Sequence, residues 1–192
     1  MHMTPQFRQR ILEPSEGLRL SAYRDCVGVT TIGYGHARGN PIVRMGMTIT
    51  QAQADQILAD DLGIFENGVT GMLHRVARPC EFDAMCDLAF NIGLGNLKSS
   101  SLLRYFNAGS RIAAADAFLM WNRAAGRVIG GLTTRRQQER AWYLDQAPGE
   151  APEAPVGFAG VGQFDIAHDY HDQPDSALER ARNLTTHWLQ AL

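Results

Sequence analysis

Two carboxylic acids and a hydroxyl fall close together near the start of the chain. Glu16 precedes Gly17, Leu18 and Leu20; Asp25 follows nine residues on, between Arg24 and Cys26, and Thr31 comes six after that. Two carboxyl groups in unlike surroundings can divide acid and base work. One keeps its proton near neutral pH and gives it to a leaving oxygen, while the other stays ionised and activates water or stabilises positive charge. That is the chemistry of glycosidic-bond cleavage through an oxocarbenium-like transition state. The hydroxyl of Thr31 can position a water. Spacing alone is weak ground, because a helix-terminal Glu and a turn Asp have the same spacing in many proteins without function.

The elements that must hold these groups are legible in outline. Phe7, Ile11 and Leu12 recur at helical spacing, so residues 5–15 read as a short helix with Gly17 as its stop signal. From Leu20 to Met47, strand formers such as Tyr23, Val29, Ile32 and Tyr34 alternate with glycines, which predicts a small antiparallel sheet with tight turns. Thr50-Gln51-Ala52-Gln53 is a capping-box pattern opening a helix through Leu62. Most of the chain from there to Leu144 reads as helix. Phe82, Met85, Leu88 and Ala89 share one apolar face, and Ile112, Ala115 and Leu119 another. Ala147-Pro148-Gly149 and two further prolines up to Pro155 read as a linker. The expected division is a domain over 1–147 and an extension over 148–192. The extension carries an amphipathic stripe, Leu178, Ala181, Leu184, Trp188 and Leu192.

The wording around the acids adds a resemblance. Glu16-Gly17-Leu18-Arg19-Leu20-Ser21-Ala22-Tyr23-Arg24-Asp25 and then Thr31-Ile32-Gly33-Tyr34-Gly35-His36 closely resemble the active-site segment of the phage lysozymes, the family 24 glycoside hydrolases. Phe90-Asn91-Ile92-Gly93 with Ser99 to Leu103, and Trp121-Asn122 through Gly130-Gly131-Leu132 to Arg140, look like later segments of that family. The resemblance covers about residues 6–146. It implies an α+β, two-lobed lysozyme-like fold, with a small antiparallel sheet in the N-terminal lobe, a helical C-terminal lobe and a cleft between them. It implies hydrolysis of the link between N-acetylmuramic acid and N-acetylglucosamine in peptidoglycan, by a single displacement. Glu16 would be the general acid, Asp25 would orient or activate water or stabilise charge at the sugar, and Thr31 would hold the water. Phe90, Asn91 and Ser101 would contact sugar rings. Arg135 matches an arginine that in the family lies near the catalytic Glu, and His36 matches a packed, hydrogen-bonded position. No cofactor or metal is implied.

Composition narrows the alternatives. Hydrophobic side chains make up 45% of the chain and charged ones 20%, as in ordinary globular proteins, so wholesale disorder is excluded. No apolar run reaches the roughly 20 residues of a membrane helix, and no membrane insertion is expected. The N-terminus lacks an apolar signal segment, so the expectation is synthesis in the cytoplasm and access to the wall through a holin-like or delivery partner. Through Gln146, 16 basic and 13 acidic side chains leave a slight positive charge; beyond it, two arginines face seven acids. A mildly basic body suits a polyanionic partner. Arg123, Arg127, Arg135, Arg136 and Arg140 lack interleaved aromatics, so nucleic acid is not expected; positioning for anionic muropeptide, or pairing with helix carboxylates, explains them better. Cys26, Cys80 and Cys86 cannot all pair in one chain; Cys80 and Cys86 read as buried thiols, and a regulatory role for Cys26 is disfavoured. Asp165, His168, Asp169, His171 and Asp172 match no zinc or calcium spacing and read as a solvated loop. The expected protein is a monomer. Rival readings are an injected effector or phage-tail lysozyme, a silent wall-binding module, and transglycosylation on the same fold, which would need no water-positioning Asp25 and Thr31.

Overall fold

The fold begins by tying its first residues to helices that come much later in sequence. In the computed structural model, which describes residues 1–25, 28–124 and 126–145, the backbone N–H and hydroxyl of Thr4 both donate to Asp83. Thr4 also caps α1 (Pro5–Phe7) by accepting from the Phe7 N–H, with Pro5 at the first helical position. The chain widens to a π-helical turn at Arg8–Leu12 and continues as α2 (Glu13–Glu16). Phe7 and Leu12 are fully buried, and Phe7 meets Trp142 edge-on at 5.3 Å. Gly17, at φ 71°, ends the helix in a backbone region open to glycine, so Glu16 is its last residue.

The predicted sheet is shorter than its strand formers suggest. β1 (Arg19–Arg24) pairs antiparallel with β2 (Thr30–Gly33), with Arg19 opposite Gly33 and Tyr23 opposite Thr31. Beyond Gly33 only single bridges remain, Ile32 with His36 and Ser21 with Thr48. The glycines at 35, 39 and 46 all have positive φ, which turns the chain out of the ladder.

α3 (Gln51–Met72) starts on the expected capping box between Thr50 and Gln53 but runs ten residues past Leu62. It packs on β2 at its start and on α4 (Pro79–Ile92) and α5 (Leu94–Ser99) further on, so it links the sheet to the helical lobe. Gly68 makes the second contact possible: a β-carbon there would lie 2.5 Å from Leu94. α6 (Ser101–Asn107), α7 (Arg111–Ala117) and a 3-10 turn at Phe118–Met120 follow. Ala115 is buried as expected, but Leu119 falls in the 3-10 turn, outside the helical face assigned to it, and is exposed. A two-residue hairpin that the sequence did not signal, β3 (Arg123–Ala124) with β4 (Arg127–Val128), leads into α8 (Gly130–Tyr143). The core joins Phe82, Met85 and Leu88 of α4 to Phe106, Phe118 and Tyr143. Cys86 is buried and Cys80 half-buried; both are free thiols, and burial pushes both up. Cys26, the candidate metal-ligand cluster and the amphipathic stripe of the extension lie outside the described residues. No helix of the described residues is long and apolar enough to cross a membrane.

His36 locks the loop after the sheet. It is buried, with Nδ1 at 2.9 Å from Asp61 Oδ2 and Nε2 at 3.0 Å from the Pro41 carbonyl. Burial works against its charge, but two acceptors, one of them anionic, hold it above its ordinary 6.5. Its stabilising contribution is therefore complete below about pH 6.5 and is lost as pH rises through the raised value. His36→Ala is expected to cost about 1.5–3 kcal/mol at pH 5 and clearly less at pH 9. Urea unfolding at the two pH values checks this; an equal loss at both would contradict a charged His36.

Candidate active site

The geometry of the site follows from where three elements meet. α2 stops at Glu16, the hairpin returns past it, and α8 reaches it from the helical lobe. The Glu16 side chain is 8% exposed, and its Oε1 accepts from Arg135 Nη1 at 2.7 Å. Oε2 faces the turn after β2, where a β-carbon on Gly35 would lie 3.7 Å away. Gly35 has φ 97°, so this close backbone approach is one that glycine makes readily.

Arg135 does not serve Glu16 alone. Its Nε and Nη2 make a two-pronged contact with Asp87 of α4, at 3.0 and 2.7 Å. Asp87 is fully buried. Burial alone would raise its carboxyl, but the Arg135 charge and hydrogen bonds hold it below the usual carboxylate range. Arg136, next along α8, donates to Glu139 at 2.6 Å and to Asn91 at 3.3 Å. Glu139 is fully buried, and burial pushes it well above its ordinary value. Arg140 completes the row, donating to Asp116 at 2.7 Å. Three of the five arginines grouped in the sequence are thus buried in ion pairs rather than spread over a surface.

Asp25 and Thr31 are both fastened to Val29. The Val29 N–H donates to Asp25 Oδ1 at 2.8 Å. The Val29 carbonyl accepts from the Asp25 N–H at 2.9 Å and from the Thr31 hydroxyl at 3.1 Å. Both the carboxylate and the hydroxyl are therefore held to Val29. With its hydrogen given to Val29, Thr31 presents its oxygen as an acceptor.

The other sequence-predicted residues are more scattered. Phe90 is half-buried and meets Phe65 edge-on at 5.2 Å. Asn91 is buried, with Oδ1 accepting from Arg136. Ser101 is half-buried at the start of α6 and donates to Met120 Sδ at 3.6 Å. His36 sits behind the hairpin. Asp87 and Glu139 were not singled out from sequence. The available signal was an Arg-Arg-x-x-Glu run, which puts Glu139 three and four residues from the two arginines on one helix face. Among the described residues no three His, Cys, Asp or Glu side chains converge as a metal site requires.

Such an arrangement defines a lysozyme-like glycosidase scaffold: a carboxyl at a helix end, a hairpin carrying a second carboxylate, and a helical lobe supplying a buried cation. Comparison with known proteins agrees. The phage lysozyme family model matches residues 13–139, and the chain belongs to the phage lysozyme family. The endolysin of Bacillus phage B103 is 41% identical over 136 residues, covering 70% of this chain and 51% of that protein. The endolysin of Salmonella phage P22 is 40% identical over 136 residues, covering 69% of this chain and 92% of that one. The chain thus spans about half of the Bacillus phage relative and nearly all of the P22 relative. The structure of the endolysin from Escherichia coli O157:H7 phage FAHEc1 aligns with TM-score 0.70 at 35% identity, covering 76% of this chain and 94% of that one.

The Arg135–Asp87 contact is the support on which Glu16 rests. Asp87→Ala, which leaves the buried Arg135 guanidinium without its two-pronged partner, is expected to destabilise by about 3–5 kcal/mol. Urea unfolding measures this, and a loss below about 1 kcal/mol would show that the pair does not organise the interior.

Proposed function

We propose that the chain is a muramidase of the endolysin type, hydrolysing the N-acetylmuramic acid to N-acetylglucosamine bond of peptidoglycan. The observation that carries the reading is Glu16: a nearly buried carboxyl at a helix end, gripped on one oxygen by Arg135 and lined on the other by Gly35. Family membership and the endolysin relatives support the substrate.

In this reading Glu16 donates its proton to the glycosidic oxygen as that oxygen leaves C1 of N-acetylmuramic acid. Arg135 stabilises the carboxylate left behind. A water gives one hydrogen bond to the Thr31 oxygen and one to Asp25, attacks C1 in a single displacement, and loses a proton to Asp25. Val29 supports this by holding both side chains through its own N–H and carbonyl. Phe90 and Ser101 keep exposed surface for sugar rings, and Asn91 contributes from beneath through Arg136. His36 holds the loop rather than the substrate. The enzyme acts as a monomer without cofactor. It works at the bacterial cell wall, with a holin-like partner giving access.

We take 1–147 as the catalytic domain and 148–192 as an extension. The family match spans residues 13–139, inside this part.

Turbidity loss of purified Gram-negative peptidoglycan is the test. Wild type is expected to clear the suspension and release reducing ends, a chain ending at residue 147 is expected to do the same, and Glu16→Gln is expected to lose at least about 100-fold. Clearing by Glu16→Gln at the wild-type rate would remove Glu16 as the acid. A folded wild type that clears no wall would favour a wall-binding module.

A further inference from the structure

Three carboxyl groups and two guanidiniums meet in the interior between α2, α4 and α8. The side chains of Glu16, Asp87 and Glu139 are 8, 0 and 0% exposed, and those of Arg135 and Arg136 are 5 and 0%. With all three carboxyls ionised this buried cluster carries a net negative charge; with one proton it is neutral, the state a dry interior favours. Asp116 and Arg140, the next charged pair along α8, balance each other and leave the count unchanged.

The contacts show where the proton can sit. Asp87 is held as a carboxylate by both prongs of Arg135. Glu139 is different. Its Oε1 accepts from Arg136 Nη2 at 2.6 Å and lies 3.7 Å from Arg135 Nε, but no described N–H or O–H donates to its Oε2. Asp87, held as a carboxylate, is a like charge beside Glu139 and favours a proton there. Burial favours that proton on Glu139. Glu16 is the other claimant, since an acid needs its proton before it acts.

We propose that Glu139 is a positioning residue for the general acid: it and Glu16 compete, through the Arg135 they both face, for the single proton that neutralises the cluster. The proposal rests on the acid role given to Glu16 above. When Glu139 is ionised it absorbs guanidinium charge, and Glu16 keeps its proton. When Glu139 is protonated, that charge falls on Glu16 and favours its carboxylate. The two titrations therefore belong to the pair.

The test uses the full chain. Gln at position 139 keeps the shape and an acceptor for Arg136, but it never ionises. The pH profile of kcat/KM on purified peptidoglycan is compared for wild type and Glu139→Gln, with Tm as a control for folding. The basic limb is expected to move toward acid by about one pH unit in Glu139→Gln, since neutrality then requires an ionised Glu16. An active Glu139→Gln with an unmoved limb overturns the proposal. A second measurement needs neither activity nor that variant. The Glu139 carboxyl, followed by carbon-13 NMR in wild type and in Glu16→Gln, is expected to titrate at lower pH in Glu16→Gln, and the same midpoint in both overturns the proposal. Wild type that lyses no wall would defeat the muramidase reading and leave this second comparison intact.

Discussion

Arg135 is the hinge of the electrostatics. A guanidinium taken out of water costs several kcal/mol unless its hydrogen bonds and charge are answered. Here the answer comes from two directions: Asp87 on α4 takes the fork, and Glu16 at the end of α2 takes the remaining Nη1. One side chain thereby fixes the helical lobe to the segment carrying the proposed general acid. Much else serves this contact. The Thr4–Asp83 bonds and the Phe7–Trp142 contact press α1 against α4 and α8. Gly17 ends the helix so that Glu16 is its last residue, and Gly35 brings bare backbone against the second Glu16 oxygen.

The opposite wall of the site is held by short-range bonds rather than buried charge. Asp25 and Thr31 depend on Val29 within one turn, and His36 pins the following loop to Asp61 of α3. The two walls thus differ in kind: one is a hairpin stabilised locally, the other a dry ionic cluster stabilised by residues far apart in sequence. That division suits a pair of carboxyl groups that must differ in protonation to share one reaction.

The same division explains what the sequence revealed. Local devices were readable: the Thr50–Gln53 capping box, the glycine stop after Glu16, the hairpin between Asp25 and Thr31, and the apolar face of α4 around Phe82 and Leu88. Long-range ones were not. α3 continues past Leu62 despite Gly63 and Gly68, because Gly68 receives Leu94 and Glu66 accepts from the Met3 N–H. Strand formers after Gly33 did not extend the ladder, because glycines with positive φ turned the chain. α8 was the hardest to read. Its run of arginines and glutamines has a solvated composition, yet Arg135, Arg136, Glu139 and Arg140 are buried, each answering a partner on another element or a turn away. Periodicity of apolar residues carries no information about such a face. Asp87 was hidden for the same reason, an acid set between Cys86 and Leu88 in an apolar stretch of α4.

In the proposed reaction water, not an internal sugar hydroxyl, completes the cleavage that Glu16 begins. Digestion of purified peptidoglycan in oxygen-18 water, with mass spectrometry of the fragments, tests this most directly. The predicted result is one oxygen-18 at C1 of each new N-acetylmuramic acid end. Unlabelled anhydro ends, or label on N-acetylglucosamine, would contradict it.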